Sequence, residues 1–199
     1  MKTKSFFLFS TIAVVLAYVL LRQLGFIGLW TQGIAFIAND TEQFTDGTGH
    51  PVTGSYSVSI DLSDLESNIG KVLYDDGAHK IYVSILESRE RRAGGYLIGF
   101  RASGRYSRSG ASLVSGVRHA TVNGSSFTSD MTAALTAEYK GNMYASSMAG
   151  IDGLNYKDGD AFYFYLFPSE AYEQNITTNE TGVVRIYVSN LYKNIWSKK

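Results

Sequence analysis

The chain is 199 residues long, 45% hydrophobic and 18% charged, and its 18 basic and 18 acidic side chains cancel to a formal net charge of zero. Eleven Phe, 14 Tyr and two Trp are core-forming material that excludes a disordered chain, and 20 Gly against two Pro exclude collagen-like or Pro-rich repeats. The absence of Cys excludes disulfides, thiolate metal sites, a cysteine nucleophile and a lipidated cysteine anchor.

Met1-Lys-Thr-Lys4 is a short basic start, followed by an apolar and small-hydroxyl run from Ser5 to Leu21. Arg22-Gln23 interrupts it, and Leu24 to Trp30 is apolar again. This pattern predicts a signal-anchor, a single transmembrane helix within residues 1–30. A helix from Phe6 to Leu29 would measure ~36 Å at ~1.5 Å per residue, enough for a bilayer with Arg22 snorkelling outward and Trp30 in the aromatic belt. Cleavage fits less well, because Gly25 and Gly28 follow Gln23 and Phe26 at −3, and Gly33-Ile-Ala35 lies well past Leu21. With Lys2 and Lys4 cytoplasmic, everything after Trp30 is extracytoplasmic, or secreted if the segment is removed. Residues 31–54 read as a polar, Gly-containing connector, and residues 55–199 as one domain.

From Ser55 the apolar residues alternate with period two. Tyr56, Val58, Ile60 and Leu62 share one face of a strand whose other face is Ser55, Ser57, Ser59 and Asp61. Ser63 and Glu66 match a capping box, predicting a short helix carrying Leu65, Ile69 and Val72 up to the turn Asp75-Asp-Gly77. Lys80–Glu87 is a central strand, Arg89–Gly95 a turn, and Tyr96–Tyr106 a strand with Tyr96, Ile98, Phe100 and Ala102 on one face. Leu113–Val122 leads to the hairpin dipeptide Asn123-Gly124. Leu135–Tyr139 and Met143–Ser147 flank a second hairpin turn at Lys140-Gly-Asn142, with an Ala-rich helix over Met131–Tyr139 as the alternative. Asp158-Gly159 opens the aromatic strand Ala161–Phe167, which Pro168 closes, and Val183–Ser189 is the last clear strand. The expected fold is all-β: a β-sandwich or jelly-roll of seven to nine short antiparallel strands with one short helix, behind a single N-terminal transmembrane helix.

The chemistry-bearing residues form no motif. Asp46-Gly-Thr-Gly-His50 and Asp76-Gly-Ala-His79 place Asp and His together, but Gly-containing turns favour both residues for backbone reasons. His119 has no such neighbour, and no metal-ligand spacing occurs. Asp152-Gly153 and Asp158-Gly-Asp160 lack the alternating ligands and terminal Glu of a calcium loop. No nucleophile elbow or phosphate-binding loop is present, so neither catalytic residues nor a cofactor are assigned. Sequons occur at Asn39, Asn123, Asn175 and Asn179.

Charge is segregated. Seven of the nine Arg lie between Arg89 and Arg118, with Glu90 the sole acid among them, while residues 40–76 and 130–180 are acidic. Alternation puts Arg101, Ser103 and Arg105 on one strand face. The candidate binding residues are Arg89, Arg91, Arg92, Arg101, Arg105, Arg108 and Tyr106, an Arg-rich patch for an anionic polymer, lipid headgroups or an acidic partner. The opposing expectation is that these arginines pair with the acidic segments on folding. Nucleic acid is a poor fit outside the cytoplasm, and stacking of sugars on exposed Tyr is a further option. The sequence therefore points to a membrane-anchored binding module at the cell envelope. The alternatives are a self-associating structural or assembly subunit of an envelope or virion, and a secreted hydrolase with a cleft uniting His50, His79 or His119 with a carboxylate.

Overall fold

The computed structural model describes residues 2–45, 49–90, 95–122, 126–174 and 176–199. Helix α1 (Lys2–Gln23) stops where Gly25 takes φ +75°, a left-handed conformation closed to most side chains, and α2 (Phe26–Gln32) sets off in a new direction. Thr11–Gln23 and Phe26–Gln32 are bent by 70°, so the straight helix expected over Phe6–Leu29 does not form. Among the described residues no single helix is long and apolar enough to cross a membrane; the bent pair meets that measure jointly. The large apolar side chains of α1 from Ile12 to Leu21 are 43–69% exposed.

Gly33 breaks the chain again before α3 (Ile34–Asn39). Ile34, Ile37 and Ala38 recur at helical spacing and are buried, as is Phe44 of β1 (Phe44–Thr45). Through β1 and β2 (His50–Pro51), both paired with the last strand of the chain, two pieces of the segment read from its polarity as a connector join the domain.

Strand β3 (Ser55–Asp61) has the expected alternation, with Ile60 buried and the serines outward. The predicted helix after it shrinks to a single 3-10 turn, Glu66–Asn68. The buried Asn68 amide explains this: it donates to the carbonyls of Asp61, Asp64 and Leu65, taking acceptors that a growing helix would need. Asp64 rather than Ser63 caps the turn, Ser63 instead accepts the Gly182 N–H, and Val72 opens strand β4 (Val72–Asp75). Asp76–His79 turns the chain into β5 (Lys80–Ser88), where a bulge between Val83 and Ile85 makes Leu86 the next buried residue. Strand β6 (Tyr96–Ser103) is covered on both faces.

Beyond Gly104 run β7 (Arg105–Ser107) and β8 (Gly110–Ser115), and beyond Gly116 β9 (Val117–Val122) and β10 (Ser126–Met131). Val122 faces Ser126 in register, while the Asn123-Gly124 turn itself lies outside the described residues. Then come β11 (Ala134–Tyr139) and β12 (Asn142–Ala145), joined through Lys140 and Gly141 at φ 51° and 78°, the two positive values of a type I′ hairpin. Strand β13 (Ser147–Tyr156) precedes β14 (Gly159–Tyr165), helix α4 (Ser169–Gln174), β15 (Val183–Ser189) and β16 (Tyr192–Lys198).

All pairings are antiparallel. One sheet runs β13-β14-β6-β5-β4, another β12-β11-β15-β3, a third β1-β16-β8-β7 with β2 also on β16, and β9-β10 stands as a ribbon. The domain is all-β in this sense, with more and shorter strands than the seven to nine expected, because Gly104 and Gly116 cut runs that read as continuous. One apolar cluster reaches from Ile34 to Trp196, with Phe100 stacked on Phe162 and Phe167 ringed by Tyr96, Tyr139, Tyr144 and Tyr172.

Candidate functional site

The described candidate arginines are dispersed. Arg101 is only 8% exposed; it donates to the Ala102 and Asp160 carbonyls, pairs with Asp158, and lies 3.7 Å over the Tyr156 ring. Its guanidinium is turned onto β14 and the β13–β14 turn rather than into solvent, because Asp158, the Asp160 carbonyl and the Tyr156 ring hold it there. Arg89 pairs with Glu87 at the opposite end of β5 from Lys80, which neighbours Ser103, so about eight residues at ~3.3 Å separate Arg89 from Arg105. Arg105 sits past the Gly104 break and donates from Nη2 to the Gly77 carbonyl at 2.6 Å. Tyr106 next to it is 36% exposed. Arg91 and Arg92 lie outside the described residues. Pairing with local acids and carbonyls thus accounts for Arg89, Arg101 and Arg105, and the fold does not gather the described arginines onto one strand face.

Arg108 belongs to a different group. At the tip of the β7–β8 hairpin its guanidinium lies 4.6 Å from the Phe26 ring centroid, and Lys157, at the β13–β14 turn, has Nζ 5.7 Å from the Trp30 ring. Trp30 is 76% exposed. The Lys157 carbonyl accepts the Ile34 N–H at 2.7 Å, locking the α2–α3 junction onto that turn. Two cations and two aromatic rings therefore collect on the side from which α1 departs, one turn beyond Arg22. Sequence reading missed this grouping, since Lys157 and Phe26 are far apart in the chain.

The histidines report a second arrangement. His79 Nδ1 contacts Asp76 Oδ2 at 2.9 Å, and its Nε2 lies 2.8 Å from Ser112 Oγ on β8. Burial pushes the Asp76 carboxyl up, but hydrogen bonds from His79, the Ala78 and His79 N–H groups and the Tyr74 hydroxyl outweigh it and hold it well below the usual range. Tyr74 is pushed up to about 12, first by burial and then by that bond. Ser112 borders an open groove of about 380 Å³ with Arg105, Tyr106, Ser107 and Gly110. His119 also meets a carboxylate: Nε2 is 2.6 Å from Asp160 Oδ2 and Nδ1 2.9 Å from Ser129 Oγ. That pair is fully enclosed. Asp152, from the other acidic turn, binds the Tyr163 hydroxyl. Among the described residues no three His, Asp or Glu side chains converge as metal ligands.

A further groove of about 480 Å³ is bordered by Val52, Thr132, Asn190 and Tyr192, with Arg118 over the Tyr192 ring at 5.7 Å. Neither a protein-family model nor a curated protein nor a solved structure matches the chain.

Proposed function

We propose that this chain is a single-pass membrane protein whose extracytoplasmic domain, a β-sandwich, sits against the bilayer and binds anionic headgroups or envelope polymer beside its anchor. The observation that carries this reading is α1, a 22-residue helix whose described apolar side chains are exposed on every face. Such a surface needs a cover, and lipid is the cover that its apolar side chains suit. Ser5 to Leu21 would measure ~26 Å at ~1.5 Å per residue, a short span ending at Arg22. With α1 in the bilayer, the 70° bend would let α2 lie along the interface, where Phe26 and Trp30 suit the aromatic belt. Arg108 and Lys157 over those rings would meet phosphate, each contributing about 1 kcal/mol at an anionic surface. Lys2 and Lys4 orient the domain outward.

Reconstitution of the full chain into vesicles tests this. Trp196 is 2% exposed, so quenching by lipids brominated close to the headgroup should report Trp30. Strong quenching is expected, with binding of soluble anionic polymer that falls with salt and weakens in Arg108→Ala/Lys157→Ala. Unquenched Trp30 with water-like emission would place α2 away from lipid and end the proposal.

Met143 and Met148, 60% and 58% exposed on the outermost strands β12 and β13, favour a second reading as a self-associating assembly subunit. Light scattering on the solubilised chain, with Met143→Lys/Met148→Lys as control, distinguishes the two.

A further inference from the structure

Asp76, His79 and Ser112 stand in the order of an acyl-transfer triad. Asp76 is fixed by its own turn, since its Oδ1 accepts the N–H of both Ala78 and His79 at 2.8 and 2.7 Å. Its Oδ2 meets His79 Nδ1, which leaves Nε2 directed at Ser112 Oγ, 33 residues away in the chain. The imidazole is almost wholly buried, and the carboxylate behind it holds the tautomer that can accept a proton at Nε2. Arg105 faces Ser112 directly in the β7–β8 ladder, and residues paired in this way share a sheet face. Its bond to the Gly77 carbonyl ties the guanidinium to the same turn that carries Asp76 and His79.

We propose that Ser112 is a nucleophile and that this groove hydrolyses short carboxylic esters. His79 Nε2 takes the hydroxyl proton as Ser112 Oγ bonds to the ester carbonyl carbon. The charge that develops on the carbonyl oxygen lies beside Arg105. The ester C–O bond breaks and the alcohol leaves with the proton from His79. Water, deprotonated by His79, then attacks the acyl-serine, releasing the carboxylic acid and restoring the hydroxyl. The groove, about 380 Å³ in volume and bordered by Arg105 and Ser112, admits a small acyl chain. The site stands independently of membrane seating.

The test is a fluorophosphonate probe on the detergent-solubilised full chain, with the adduct located by peptide mass. The expected result is labelling at Ser112, abolished by Ser112→Ala and slowed about 100-fold or more by His79→Gln. Circular dichroism checks that each variant folds. No adduct, or one indifferent to His79→Gln, overturns the proposal. If His79→Gln does not fold, Ser112→Cys decides, because the chain has no other cysteine. An ordinary thiol of pKa about 8.5 loses about tenfold in alkylation rate per pH unit below that value. Iodoacetamide alkylation that stays nearly level down to pH 6 supports an activating His79, and the ordinary decline refutes it.

Discussion

His119 Nε2 and Asp160 Oδ2 meet at 2.6 Å with both side chains fully enclosed. The pair joins four strands, β8, β9, β14 and β16, because Asp160 Oδ1 accepts the Ser115 hydroxyl at 2.7 Å and the His119 N–H donates to Asn194 Oδ1 at 2.8 Å. Satisfied on all sides, the network fixes how β9, β14 and β16 register around the core.

Asp160→Ala should accordingly destabilise the domain by about 3–5 kcal/mol, since it strands a buried partner. Urea unfolding should show a lower midpoint at unchanged slope. A loss under about 1 kcal/mol would mean that water replaces the carboxylate.

Arg101 and Arg105, equivalent by strand alternation, should behave differently. Arg101→Ala removes a buried cation from Asp158 and two carbonyls and should cost about 2–4 kcal/mol. Arg105→Ala loses one exposed contact to Gly77 and should cost under about 1 kcal/mol. Thermal melts of the two single variants check this, and the solvent-facing assignment made from sequence predicts that both costs are small.

Glu180 makes stability acid-dependent. Lys140, the Thr177 N–H and hydroxyl and the Tyr139 hydroxyl lower its carboxyl from 4.5 to about 2 against the effect of burial. A depressed folded-state value contributes stability above pH 4.5 that is lost as pH falls towards 2. Glu180→Gln should lower the melting temperature at pH 7 and flatten its decline between pH 4.5 and 2. Asp76, likewise held low, keeps part of the slope.

Gly33→Ala should loosen α3 from the β13–β14 turn. Gly33 sits at φ 60° and ψ −124°, and a Cβ there would run into the Lys157 carbonyl that accepts the Ile34 N–H. The strain costs about 1–3 kcal/mol before the clash is counted. Faster amide exchange across residues 34–39, with the β-sheet amides unchanged, is the expected signature.

Strand Val183–Ser189 and the Lys140-Gly141 hairpin were legible in the sequence because alternation and turn propensity act over a few residues. The Asp76–His79 turn was legible for the same reason. Ser112 was not, since nothing local to Gly110–Ser115 marks it as the residue that meets an imidazole 33 positions earlier. Strand β16 was hidden by its composition: Lys193 and Asn194 interrupt the apolar pattern, yet Asn194 is buried because its amide serves the Val117 carbonyl and the His119 N–H.

Composition and periodicity alone define an antiparallel β domain behind a basic, apolar N-terminal segment, because burial preference repeats with the period of the backbone itself. They also localise the positive charge to residues 89–118. Whether each arginine meets solvent, a carboxylate or an aromatic ring depends on which strands neighbour it across the sheet. That pairing is a long-range choice: it buries Arg101 against β14, sets Arg108 beside Phe26, and carries Ser112 to His79.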